Sequence, residues 1–255
     1  MSRDSARQYV NLAAMLAALV VNILSNALPL NGLNTGDISD RFKVYFVPAG
    51  YVFSIWGVIY IGWIAFVVYQ LLPAHKETPR LRRLGYWFAL SCVFNAAWLF
   101  CWHYEQFGLS VVVMLALLAT LIISTLRLNV ARTPVTAAQR WCVDIPFGLY
   151  LGWVSVATIA NITSYLYFIG WSGFGIAPEM WAVIMLVVAS LLGLIVALTR
   201  RDAAFLLVFV WAFAGIAAKQ AATPLVASAA WIAAAFALVL AVASLLRRPL
   251  IAVEA

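Results

Sequence analysis

The chain has 255 residues, two thirds of them hydrophobic and a tenth charged, with a net charge of +7. An ordinary soluble domain carries about 25% charged residues, so the composition excludes one. Repeated apolar runs near the roughly 20 residues that a bilayer core requires predict an all-α, polytopic membrane bundle of about eight spans. The alternating segments of about ten residues that mark a membrane β-barrel are missing.

The first run, about residues 9 to 29, is too long for a signal-peptide core and lacks a clear cleavage site, so it reads as a span. Span one runs from about Gln8 to Leu28 and ends near Pro29. Asn22 and Asn26 are four apart and share a helix face. They are either interhelical hydrogen-bonding groups or the edge of a polar-lined cavity. Residues 30–47 form the longest connection, and connections beyond about 12–15 residues are often lids or binding loops. This one mixes Asp37, Asp40, Arg41 and Lys43 with Ile38, Phe42, Tyr45 and Phe46. That suits a short element at the membrane interface, an anchor or, the preferred reading, a lid.

Span two, Pro48 to about Leu72, opens on a proline, which loses no hydrogen bond in a helix's first turn. Trp56 and Tyr60 are four apart, so their rings stack along one face with Trp63 close by. Trp56 lies about 12 Å into the span at 1.5 Å per residue, too deep for an interfacial aromatic belt. It must pack against protein or ligand.

Span three, about Leu84 to Trp102, carries Gly85 and Ala89 at small-x-x-x-small spacing, a candidate close-packing or homodimer face. Asn95, Trp98 and Trp102 follow, and His103 at the end reads as an interfacial residue. Span four, about Phe107 to Leu126, is aliphatic and shows no evident chemistry. Span five opens with Asp144 as an expected N-cap and Pro146 in the first turn. Within it Trp153, Ala157 and Asn161 recur at i, i+4 and i+8, with Ser155 and Thr158 on neighbouring faces.

Three further spans run at about Pro178–Leu198, Ala203–Ala218 and Pro224–Leu246. Asp202 is placed to cap the second of these, which is short and alanine-rich and should pack between other helices. Glu179 and Lys219 fall at neighbouring ends as a candidate ion pair. Cys92, Cys101 and Cys142 show no metal-ligand spacing and read as small packing residues, so no metal is expected.

If eight spans alternate, Arg3, Arg7, Lys76, Arg80, Arg82, Arg83, Arg127, Arg132, Arg140, Arg200, Arg201, Arg247 and Arg248 fall on one side. Only Arg41, Lys43 and Lys219 fall on the other. The positive-inside rule then places both termini in the cytoplasm. The basic excess is topogenic, and no nucleic acid is expected as a partner. In this orientation Asn22, Asn26, Trp56, Asn95, Trp98, Trp153, Thr158 and Asn161 lie between mid-membrane and the outer leaflet, beneath the 30–47 loop. Aromatic walls with a few orienting amides are the usual build of a small-molecule site. Flat walls suit a flat, apolar, polycyclic ligand, although the same residues also fit plain interior packing.

Three stretches carry a family resemblance: Pro48 to Tyr60, Asn95-Ala-Ala-Trp98, and Trp153 through Ala157 and Thr158 to Asn161. In order and on the corresponding spans, they resemble the tryptophan-rich sensory protein family, also called translocator or TspO/MBR proteins. The resemblance covers roughly residues 8 to 168. It implies a five-helix core over residues 1–170 with an outer pocket roofed by the 30–47 loop. It further implies binding of porphyrin-type tetrapyrroles or other apolar polycyclic molecules, often by a homodimer. The expected ligand-binding set is Asn22, Asn26, Trp56, Tyr60, Asn95, Trp98, Trp153, Ala157, Thr158 and Asn161. No cofactor is required beyond a bound tetrapyrrole. The three helices of residues 171–255 depart from the family core. No Arg or Lys follows Tyr165 and Tyr167, so a sterol-recognition pattern is incomplete.

A sensor or carrier for such a ligand is the leading expectation. The alternatives are a membrane enzyme acting on it, an ion-coupled transporter, and a scaffold whose last three spans bind a partner protein. No ionisable group lies deep in a span, which weighs against proton or ion chemistry.

Overall fold

Apolar runs with few helix breakers become eight long helices, and the polar breaks between them become three short ones. In chain order these are α1 (Arg3–Ala27), α2 (Thr35–Asp40), α3 (Ile55–Leu71), α4 (Pro79–Leu84), α5 (Trp87–His103) and α6 (Phe107–Leu128). They continue as α7 (Ala137–Gln139), α8 (Ile145–Phe168), α9 (Pro178–Thr199), α10 (Ala203–Lys219) and α11 (Pro224–Leu246). The computed structural model describes residues 2–28 and 30–247, without the side chain of Asn26. Pro29, Arg248 and the proposed role of the Asn26 side chain fall outside these. No strand occurs among the described residues.

Among the described residues six helices, counted with their flanking turns, are long and apolar enough to cross a membrane. The other two, α5 and α10, have 17 residues each, about 25 Å at 1.5 Å per residue and the short limit for a span. Both are inside the bundle. Helix α5 packs on α1 and α6, while α10 packs on α8, α9 and α11. Small residues allow that close approach. A Cβ at Gly152 of α8 would stand 2.9 Å from the Phe205 carbonyl oxygen of α10. The expectation that the alanine-rich span packs between other helices holds, and Asp202 does cap it, accepting from the Phe205 N–H at 3.2 Å.

The basic residues group at one end of the bundle. Arg7 donates to the Lys76 carbonyl at 2.7 Å, Arg82 pairs with Asp4 at 2.6 Å, and Arg127 reaches the Arg83 carbonyl at 3.2 Å. Arg200 donates to the Val130 carbonyl at 3.3 Å. At the opposite end, called here the lid end, Arg41 pairs with Glu105 and Lys219 with Asp40.

Four local expectations are corrected. Asp144 is not an N-cap. The helical path already begins at Ala137, capped by the Thr136 hydroxyl, and a π turn over Arg140–Asp144 leads into α8. Inside a continuous helix there are no orphan amides to cap. The buried Asp144 carboxylate instead pairs with buried Arg80 and accepts from the Ala131 N–H at 3.3 Å. Gly85 and Ala89 do not share a helix face, because α5 begins at Trp87. Gly85 ends α4 at φ +61°, a conformation that glycine adopts without steric cost.

Glu179 and Lys219 do not pair with each other. The 30–47 loop passes between them, so Glu179 accepts from the Tyr45 hydroxyl at 2.7 Å and Lys219 takes Asp40. His103 is fully buried rather than interfacial, because the same loop folds over it.

Candidate functional site

The 30–47 loop folds over the lid end through a short, well-specified helix. At the start of α2 the Asn34 backbone N–H donates to the Asp37 carboxylate at 3.1 Å, one half of a capping box. This sets the turn that presents Thr35 and Ser39 inward. His103 locks it from below. Its Nδ1 lies 3.0 Å from the Leu30 carbonyl and its Nε2 lies 3.0 Å from the Thr35 hydroxyl. A carbonyl only accepts, so Nδ1 carries the proton, and in the neutral ring Nε2 accepts from Thr35. Trp102 Nε1 donates to the Thr35 carbonyl at 3.2 Å.

Farther along, Tyr45 and Glu179 form the hydrogen bond given above. That bond, with slight burial, holds the Tyr45 phenol above its usual pKa range. The turn before α3 is tied to α10. Ala49 N–H donates to the Gly215 carbonyl at 3.2 Å, and Trp211 Nε1 donates to the Val52 carbonyl at 3.0 Å. A Cβ at Gly215 would come within 2.2 Å of Val52 Cγ2.

Beneath this cover lies a tight cavity of about 50 Å³. Trp56 from α3, Asn95 and Trp98 from α5, and Trp153, Ala157 and Asn161 from α8 all line it. The three stretches singled out in the sequence therefore meet at one place. The rings contact one another at defined angles. Trp56 stacks on Tyr60 at 5.7 Å and meets Trp153 edge-on at 6.3 Å, and Trp98 stacks on Trp102 at 5.7 Å. Offset and edge-on ring pairs at such separations are the favourable ones. Trp56 thus packs against protein and lines the cavity, as its depth requires.

The amides are held in fixed orientations. Asn161 accepts from Trp98 Nε1 at 3.1 Å and donates to Ser110 Oγ at 2.9 Å. Asn95 Oδ1 accepts from Asn22 at 2.7 Å, and Asn22 Oδ1 in turn accepts from the Tyr60 hydroxyl at 2.6 Å. Asn22 and Tyr60 do not line the cavity themselves. They hold Asn95 from behind. Thr158 is also outside the lining, its hydroxyl committed to the Val154 carbonyl at 2.7 Å.

Two buried donors on the cavity wall complete no hydrogen bond: Trp153 Nε1, and Asn95 Nδ2, which lies close to the Tyr150 hydroxyl. Buried polar groups are nearly always satisfied, so such donors call for an explanation. Both belong to residues that line the cavity.

Sequence reasoning did not single out several lining residues: Thr35 and Ser39 from the lid, Phe53, Met114 and Leu117, and Ser164. Ser164 extends the Ala157, Asn161 stripe at helical spacing and was within reach. The helix α6 contribution was not, because Met114 and Leu117 are ordinary aliphatic positions until the fold turns them inward.

Comparison with protein-family models matches residues 8–243 to the family described as TSPO-like protein. The match therefore runs through the five helices around the cavity and on into α9, α10 and α11. No curated protein and no solved structure matches the chain.

Proposed function

This chain belongs to the TSPO-like protein family, and from that premise we propose that its cavity binds a flat, apolar molecule carrying a hydrogen-bond acceptor. A porphyrin-type tetrapyrrole is the leading class, and the protein acts as its sensor or carrier in the membrane. The carrying observation is the convergence of Trp56, Trp98 and Trp153 on one cavity whose Trp153 Nε1 is buried and unpaired. Flat rings supply stacking surface, and the unpaired donor supplies orientation.

Sites for drug-sized ligands hold about 300–1,000 Å³, far more than the roughly 50 Å³ of this cavity. Binding on this reading displaces the lid. Two of its ties, Arg41 with Glu105 and Lys219 with Asp40, are ion pairs in which each partner is at least a quarter exposed. Pairs of that kind contribute only about 0–1 kcal/mol, which suits a cover that opens. The basic end faces the cytoplasm on this reading, with both termini, and the lid faces the opposite compartment.

The test is titration of the purified protein with a porphyrin, read by saturable quenching of tryptophan fluorescence. Trp153→Ala is expected to weaken affinity at least about tenfold, and unchanged affinity in that variant sinks the assignment. Labelling of single cysteines in the 30–47 loop from outside intact cells tests the orientation. Labelling only after permeabilisation reverses it.

A further inference from the structure

The opposite face of α8 borders a second, larger space that the cavity reading does not use. Ile159, Ile162, Thr163 and Leu166 of α8 face Trp181 and Met185 of α9 across a slot of about 380 Å³, bordered at the lid end by Lys43–Phe46. The α8 wall from Ile159 to Leu166 runs about 10 Å along the helix at 1.5 Å per residue. The α9 wall from Pro178 to Met185 is equally long. The space therefore extends about 10 Å along the helix axes. It starts at the lid end and reaches toward the middle of the bundle.

Three polar groups of this wall are already committed. The Thr163 hydroxyl donates to the Ile159 carbonyl at 2.8 Å, Trp181 Nε1 to the Gly173 carbonyl at 2.9 Å, and the Tyr45 hydroxyl to Glu179. The rest is a mostly apolar trough, with the Tyr167 and Ser172 hydroxyls and the Trp171 indole toward its lid end and one cation at its mouth. Lys43 is exposed and, among the described residues, makes no ion pair. Trp171 and Trp181, with ring centroids 5.2 Å apart, sit beside it at the level where amphipathic rings meet lipid headgroups.

We propose that this slot binds a single-chain amphiphile with a terminal carboxylate, a fatty-acid-type molecule entering from the bilayer. The apolar trough takes the chain, lengthwise as lipid chains lie. Lys43, a compact point charge, takes the head. One cation matches a monoanion, and the Glu179 carboxylate on Tyr45 disfavours a more highly charged head. The volume is at the small end of the range for single-ligand sites, which fits one chain and not the two of a phospholipid.

The experiment uses the full-length protein in phosphatidylcholine nanodiscs, titrated with a brominated long-chain fatty acid. Bromine quenches nearby indoles, so filling the slot should give saturable quenching. Lys43→Glu should raise the half-saturation concentration at least about fivefold, the effect of one surface charge on an anionic head. The methyl ester of the same acid should bind the wild-type protein as weakly as the acid binds the variant. Ala182→Phe, which fills the slot with a ring, should abolish the saturable component. Quenching that never saturates, or identical titrations for wild type and Lys43→Glu, would overturn the proposal. So would an ester that binds as tightly as the acid.

Discussion

Helix α8 borders two spaces of different size, a tight cavity of about 50 Å³ on one face and a slot of about 380 Å³ on the other. Side-chain size on α8 alone does not explain it. Both faces mix large and small residues, with Trp153 beside Ala157, Ala160 and Ser164 at the cavity and Ile159, Ile162 and Leu166 beside Thr163 at the slot. Volume here is set by how helices are held. On the cavity side α3, α5 and α6 close around α8, and the lid is fastened over them. On the slot side α9 packs chiefly on α11 and α10, so α10 acts as a wedge that keeps α9 away from α8.

Substitutions can break this contrast, and their expected effects descend in size. Trp153→Ala removes a buried ring shared by the cavity wall and the Phe53 and Trp56 contacts. It should cost about 3–5 kcal/mol of stability in detergent-solubilised thermal unfolding, together with the affinity loss given above.

Gly215→Val places carbon where Val52 already stands. It should cost about 1–3 kcal/mol, and porphyrin should associate faster in stopped-flow as the cover loosens. Fatty-acid quenching at the slot should stay within about twofold, since Gly215 does not line it.

Trp153→Phe separates orientation from packing. It should leave the melting temperature unchanged or raised, because an unpaired buried donor is removed. Porphyrin affinity should fall about fivefold through one lost hydrogen bond. An affinity equal to wild type would show that Trp153 Nε1 does not contact the ligand.

The smallest effect belongs to Lys219→Ala, which frees Asp40. Stability should change by about 0.2–1 kcal/mol, while a cysteine replacing Ser39 on the lid's inner face should react measurably faster with a thiol reagent.

Much of the cavity was legible because helical periodicity is local. Trp153, Ala157 and Asn161 repeat every four residues, and Trp56 was too deep to be an anchor. Asp144 was misread because a cap signal looks the same whether or not the helix began earlier, and Arg80 lies 64 residues away in the chain. The pairing of Glu179 with Lys219 failed for a related reason, since neighbouring helix ends look adjacent until a loop is laid between them. Thr35 and Ser39 reach the cavity only through the lid's tertiary fold. The slot left no trace in the sequence at all, because it is a gap between elements and not a pattern of residues.

The ties from α10 to the lid region carry a consequence for biogenesis. Asp40 and Lys219 are 179 residues apart, Tyr45 and Gln220 are 175, and Val52 and Trp211 are 159. Domains form from the N-terminus during synthesis, so a nascent chain that has delivered α1 through α8 already owns every wall of the cavity. It still lacks these fastenings. The roof gains its last anchors only when α10 has been translated and inserted, which leaves an interval during translation in which the newborn site stands less firmly covered than in the finished protein.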